Sequence, residues 1–511
     1  MLQNAMKIIL RLLVALLLLI IVVVALLYIP PIQNWIKDLA LERVNETMEM
    51  TIEVDDLNIG FPADVDVIGV RVIDANGDTM VRAQNLSANV SLAPLFKGEV
   101  EISDISLTDA YYKMGTPDSI MYMRAGLQQA EIDELALSLK QSEINIGDTR
   151  INGVKLRLSL KADSTESVAD TTASIPWNIL ARKVSLKDVD YAMAMEAVAD
   201  TIAVYIGTAQ LLDGTVDMSS KLPTIRAKSF KLSETEAKYL VDASIAPQEG
   251  LDLNRIVVSD VSIDLDSIYN QGPNIDVPIR RLHAVEQCGI VLDAAGRCVM
   301  DSVSMKISDL DVATLFSQIK IDGELGLTQD DAPLRLLANA RVGLADIETL
   351  YPSLKPMLRE VPRYNDIIIK SDIDGKMSAI SLNEMSVELP RYMSVAIDGE
   401  IKNVTTPAQL SGNLNLQGSL NNVNFIKPTV IDARLKERIN VPPMTLDGNV
   451  AMSKGEIAGT MKVITHDGQL ALDALWKGQG EEYDLTLDVD SFPVTAFFPE
   501  LGLSELCAKV K

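Results

Sequence analysis

The stretch Ile256-Val-Val-Ser-Asp-Val-Ser-Ile263 decides the fold. Ile256 and Val258 are apolar on one parity, Val261 and Ile263 on the other. Alternation with a period of two marks a strand with one apolar face. The parity slips by one residue at Asp260, so a single face survives only if the strand bulges or bends there. Two short strands joined by a tight turn are the alternative. The pattern returns as IEVDDLNI (Ile52–Ile59), VEISDISL (Val100–Leu107), VSLKDVDY (Val184–Tyr191), MKISDLDV (Met305–Val312) and ISLNEMSV (Ile380–Val387). The intervals between copies are unequal, which makes this a recurring strand type rather than a fixed-length solenoid repeat.

Between the alternating runs stand Asp213-Gly214, Asp322-Gly323, Asp374-Gly375, Asp398-Gly399, Asp447-Gly448 and Asp467-Gly468, with Asn76-Gly77 and Asn152-Gly153 beside them. Both residue types tolerate positive φ, so these pairs signal hairpin turns, or glycine bulges inside long strands. Helical insertions are predicted at Asp309–Ile319, Leu344–Leu358, Asn421–Ile439 and Pro493–Leu501. Residues 162–174 (ADSTESVADTTAS) are small, polar and acidic and read as a loop or linker. At about 15 residues per strand and turn, the exported part holds about 29 strands, and one meander of that size would extend about 140 Å. The expected class is mainly β: a long, antiparallel, meandering, twisted sheet with short helical insertions. Too few helices exist to cover its apolar face. Such a face must curl on itself, form a sandwich, or be offered to a ligand.

At the N-terminus, Leu12 to Ile29 is an eighteen-residue run without a charge, and Ile8 to Leu10 extends it across Arg11. As a helix from Ile8 to Ile29 it would run about 33 Å, the depth of a bilayer core. Leu12, Leu19, Val24 and Ile29 mark this anchor, and Lys7 and Arg11 hold residues 1–7 in the cytoplasm. A cleavable signal would need a shorter core and small residues before the cut, whereas this core ends in Tyr28-Ile29-Pro30-Pro31. Residues 30–49 follow as a short amphipathic helix, with Ile32, Trp35, Ile36, Leu39 and Val44 on one side. It would lie along the outer membrane surface or pack on the first strands.

Composition narrows the chemistry. Of the 511 residues, 71 are acidic and 46 basic, giving a net charge of −25, which repels nucleic acid and anionic lipid surfaces. His283, His466, Cys288, Cys298 and Cys507 show no ligand spacing, so no metal site is expected. Cys288 and Cys298 are either a disulfide pair or, with Cys507, small apolar residues facing a core. No nucleophile elbow, phosphate-binding loop or dinucleotide fingerprint occurs, so neither catalysis nor a cofactor is expected.

The chain resembles the AsmA-like family, and within it the TamB-type inner-membrane subunits of translocation and assembly modules. The resemblance begins with the anchor and Pro30, Pro31, Gln33 and Trp35. It continues through Met50–Tyr112, with Asp74-x-x-Gly77-Asp78-Thr79, the turn LAPLFKG (Leu92–Gly98) and a strand ending in Tyr111-Tyr112. SFPVTAFFPELGL (Ser491–Leu503) is similar to a recurrent insertion of that family. The resemblance implies a repeating β-groove, a half-pipe apolar inside and polar outside. It implies the order anchor (8–29), membrane-proximal helix (30–49), N-terminal groove block (50–160), linker (161–175) and continued groove (176–511), incomplete at the C-terminus. Groove-lining candidates are Ile52, Val54, Val100, Ile102, Ile105, Leu107, Ile256, Val258, Val261 and Ile263. The implied setting is a bacterial inner membrane, spanned once, with the bulk in the periplasm. The implied cargo is phospholipid, moved between inner and outer membranes. The alternative is a scaffold for outer-membrane protein assembly or secretion, with an outer-membrane barrel partner of the BamA type.

Overall fold

The computed structural model describes residues 29–510 apart from 162–176, 427–440, 494–505 and shorter breaks. The predicted anchor up to Tyr28, most of the linker, and most of the Pro493–Leu501 and Asn421–Ile439 insertions lie outside the described residues. The chain divides into two units, Met1–Ile245 and Ala246–Lys511. Each is a run of strands.

In the first unit, helix α1 (Pro30–Thr47) precedes β1 (Thr51–Glu53), β2 (Asp56–Gly60), β3 (Asp64–Ile73) and β4 (Thr79–Ser91). The four-residue helix α2 (Leu92–Leu95) then leads into β5 (Glu99–Met114), β6 (Met121–Ser138), β7 (Glu143–Leu160), β8 (Asn178–Met195), β9 (Asp200–Asp217) and β10 (Thr224–Leu240). Successive strands from β2 onward pair with one another, and β1 also pairs with β3. One pair departs from the expected antiparallel order. Strand β8 runs parallel to β7, with Glu143 opposite Asn178 and Leu160 opposite Met195. A parallel neighbour needs a long return connection, and the polar stretch between Lys161 and Trp177 is that connection. Its composition marked a loop; nothing local marked the reversal.

The second unit opens with β11 (Arg255–Gln271), β12 (Asn274–Glu286), β13 (Val291–Met300), β14 (Ser304–Ala313), β15 (Gln318–Gly326) and β16 (Pro333–Gly343). Helix α3 (Leu344–Leu350), a 3-10 turn (Pro352–Leu354) and α4 (Lys355–Leu358) form an insertion there. Strands β17 (Asp366–Lys376), β18 (Ala379–Leu389), β19 (Met393–Lys402) and β20 (Ser411–Leu420) follow. Then come β21 (Met444–Ser453), β22 (Glu456–Thr465), β23 (Gln469–Lys477), β24 (Glu482–Phe492) and β25 (Leu506–Val510). Among the described residues of this unit, consecutive strands pair antiparallel throughout. The insertion predicted at Leu344–Leu358 is present. The helix predicted at Asp309–Ile319 is instead the hairpin of β14 and β15. Its turn is held by Thr314 and Ser317, whose hydroxyls both donate to the carboxylate of Asp346, about thirty residues away. The apolar run Val312–Ile319 carries no trace of that distant acceptor.

The phase slip is absorbed by bulges. Asp104, Asp188, Asp260 and Asp309 each adopt a positive φ, between 50° and 53°, inside a continuous strand. In the copy at Ile380–Val387 the pairing shifts beside Asn383 instead, since Asp372 faces Glu384 while Ile373 faces Leu382. In the copy at Ile52–Ile59 the strand breaks into β1 and β2 without reversing; both keep pairing with β3. Aspartate and asparagine are among the few residues with a side chain that tolerate this region. Asp260→Gly should therefore change stability by no more than a few tenths of a kcal/mol, whereas Asp260→Val should cost about 1–2 kcal/mol, read from denaturant midpoints.

Most of the Asp-Gly pairs lie within strands. Asp213-Gly214, Asp322-Gly323, Asp374-Gly375, Asp398-Gly399 and Asp447-Gly448 sit in β9, β15, β17, β19 and β21, and Asn152-Gly153 sits in β7. Asp467-Gly468 is a true turn, with the Thr465 amide donating to the Gly468 carbonyl at 2.8 Å.

Apolar sheet faces as the candidate functional site

Cross-strand partners share a face of a sheet, so the register states which residues lie together. In the first unit one row runs Ile102, Leu135, Ile146, Ala181, Gly214 from β5 to β9. Another runs Leu107, Ala130, Ile151, Leu186, Ala209, Leu232. The alternate rows are polar: Ser106, Glu131, Arg150, Ser185 and Gln210 follow one another across β5 to β9.

The second unit repeats the arrangement. From β15 to β23 a row passes through Gly323, Leu336, Ile373, Leu382, Gly399, Leu414, Val450, Gly459 and Ala474. Its neighbour passes through Ile397, Leu416, Gly448, Met461 and Leu472. On the opposite face stand Asp398, Asn415, Asn449, Thr460 and Asp473 in register. There Asn415 Nδ2 donates to Asp398 Oδ2 and Asn449 Nδ2 to Asn415 Oδ1, both at 2.9 Å.

The groove candidates read from the sequence fall on these apolar faces. Ile52 faces Val72, Val100 faces Leu137, and Ile105 faces Ile132. Leu107 and Ile102 face Leu86 and Val90, which share one face of β4. Val54 lies between β1 and β2 and is half-buried. In β11, Val258 faces Glu286 and Ile263 faces Leu282, two positions of equal parity on β12. The bulge at Asp260 thus returns Ile256, Val258, Val261 and Ile263 to a single side.

These faces are not sealed into a core. Among the described residues, the buried non-alanine hydrophobics are Ile290, Leu344, Leu358, Val361, Leu389, Phe425 and Val489. Row residues such as Ile102, Ile151, Leu186, Leu414 and Leu472 are half-buried, and Ile369, Met385, Val387 and Trp476 are exposed. Two hydroxyls on the apolar side, Thr149 Oγ1 and Ser371 Oγ, are buried without a hydrogen-bond partner.

The polar side is laced by cross-strand ion pairs. Arg182 bridges Asp133 and Asp148 at 2.9 and 2.7 Å, Arg297 holds Asp276, and His283 Nδ1 meets Asp293 Oδ1 at 2.9 Å. These partners hold Asp148, Asp276 and Asp293 below the usual carboxylate range. A depressed aspartate stabilises the fold above its unfolded value and loses that contribution as pH falls through its folded value. Thermal midpoints should therefore be flat above about pH 5 and fall below about pH 4. Raising the salt concentration should shrink that fall, because the arginine partners are charged and half open to solvent.

At the N-terminal end of the described residues, polar side chains dock α1 on the strands. Gln33 Nε2 donates to the Ile59 carbonyl at 2.8 Å, Lys37 Nζ to that of Asp55 at 3.2 Å, and Asn45 Nδ2 to that of Ile52 at 3.1 Å. Trp35 and Leu39 are left exposed, Trp35 by 64%. Sequence reasoning placed them among the apolar residues of this helix but left open which way they would face.

All three cysteines are free, and Cys298 lies in an apolar row between Val277 and Ile307. Among the described residues no acidic, histidine and cysteine side chains gather as a metal site, and no helix is long and apolar enough to cross a membrane. No family model and no curated protein matches the chain.

Proposed function

We propose that the protein is an AsmA-like lipid conduit, anchored in a bacterial inner membrane by residues 8–29, with its strands in the periplasm. It has no catalytic role in this reading. Acyl chains lie along the apolar faces while head groups stay in water, moving phospholipid between inner and outer membranes. The observation that carries this reading is the register: within each unit, apolar rows cross strand after strand without a charge in mid-row, and among the described residues little covers them. Burying one methylene of a chain there gains about 0.8 kcal/mol, and because apolar contact is non-directional, sliding to the next strand costs little. The exposed Trp35 and Leu39, directly after the apolar run, suit the interfacial zone of the bilayer from which a chain would load.

The test is mass spectrometry of lipids that co-purify with the full chain after extraction from the membrane. Phospholipid retained through washing supports the conduit. Capture of outer-membrane barrel proteins with no lipid would replace it by the assembly scaffold.

A further inference from the structure

The two rims of the sheet in the second unit differ, and the difference assigns an orientation to the cargo. One rim holds the loop before β11, the turns β14–β15 and β18–β19, and the chain entering and leaving the insertion after β16. Counting strands explains why: the insertions after β16, β20 and β24 are separated by four strands each, an even number, so all three leave from the same rim. The described parts of this rim are tied together. The Leu251 amide donates to the Leu350 carbonyl at 2.9 Å, and Asp346 receives the Thr314 and Ser317 hydroxyls. The amides of Asn421 and Asn422 donate to the Tyr392 carbonyl at 2.8 and 3.0 Å, and the Phe425 ring meets Tyr392 edge-on at 5.7 Å. Leu344, Leu358, Val361, Leu389 and Phe425 form a buried cluster there, with Ile367 and Met393 of the apolar face packed against it. Of the described hydrophobic residues, this is the buried cluster of the second unit.

Among the described residues, the opposite rim has no such buried cluster. It is closed by short links such as Gly272-Pro273 and Asp301–Val303, and β17, β19 and β23 end there in the exposed lysines Lys376, Lys402 and Lys477. Lys402 lies 3.1 Å from Glu400, and Lys477 stands between Glu456 and Glu482 on its two neighbouring strands. Strands of ten or eleven residues are about 35 Å long. An acyl chain reaches about 15 Å, half of a bilayer core. The apolar face beyond the cluster is thus wide enough to hold whole chains across it.

Resting on the conduit reading, we propose that the second unit carries its cargo in one orientation. The cargo is a glycerophospholipid-type amphiphile with a single polar head. Its chain ends point toward the Leu344–Phe425 cluster, and its phosphate emerges over the rim of Lys376, Lys402 and Lys477. The covered rim rejects head groups because seating a phosphate there would leave it desolvated beside apolar side chains.

Two phosphatidylethanolamine probes test this, one with a diazirine on the head-group nitrogen and one with a diazirine at the acyl terminus. Each is presented to the full chain in phosphatidylethanolamine–phosphatidylglycerol vesicles, and adducts are mapped by peptide mass spectrometry. The expected result is head-group adducts several-fold enriched on peptides holding Lys376–Ala379 and Lys402–Ser411, with tail adducts enriched on Ile367 and Leu389–Met393. Equal or reversed distributions would overturn the orientation while leaving the conduit standing. No adduct of either probe within residues 246–511 would remove both.

Discussion

Replacing Leu414, Leu416, Leu446 and Val450 together by Asp should lower phospholipid transfer by about 100-fold. The four positions lie side by side on the apolar face of β20 and β21. Cargo moving across the strands must pass that line. An acyl chain forced past an aspartate in an apolar setting meets a penalty of about 2.5–3.5 kcal/mol, and each 1.4 kcal/mol is a factor of ten. The control places carboxylates on the other face, away from the Asp398–Asn415–Asn449 ladder, through Thr445→Asp and Ala451→Asp. That variant should transfer lipid at the wild-type rate. Because the apolar face is already half open to water, the inward variant should keep its hydrogen-exchange protection in β20 and β21. Equal transfer by both variants, with the fold intact, would refute the path.

The second large effect concerns backbone approach. Gly399 lies on the apolar face at φ 141°, and a Cβ there would stand 2.1 Å from the Asn413 carbonyl oxygen. Gly399→Val would have to push β20 away or change the backbone basin. The expected loss is roughly 2–5 kcal/mol, the sum of backbone strain and overpacking. It should show as a lower denaturation midpoint and lost amide protection along β19 and β20. Gly459, with its nearest neighbour at 4.0 Å, supplies the contrast. Gly459→Ala should be neutral or mildly stabilising, since it mainly restricts the unfolded chain. A tolerated Gly399→Val would mean that the strands do not close in around the apolar face there.

The pair explains why some of the architecture was legible in the sequence and some was not. Alternation is a local property, and the register sets Ile102 and Leu107 opposite one face of β4, and Val258 and Ile263 opposite one face of β12. The slip at Asp260 was visible too, but whether a strand bulges or turns depends on its neighbour, and β12 follows it through the bulge. Asp398-Gly399 carried a hairpin signal because its residues permit positive φ. The strand uses that freedom for close approach to β20 instead, a need set by the partner strand. Asp309–Ile319 read as helical because the turn that divides it is held by Asp346, far along the chain. The parallel pairing of β7 with β8, and the gathering of insertions on one rim, follow from order and strand count, which no single window contains.

The most direct measurement places a photoreactive benzoylphenylalanine at Leu186 or Leu414 on the apolar face, and at Lys187 or Asn413 on the polar face, in cells. Irradiation should yield phospholipid adducts at Leu186 and Leu414 and almost none at Lys187 and Asn413. Adducts of similar yield on both faces, or none at the two leucines, would contradict a lipid path along these strands.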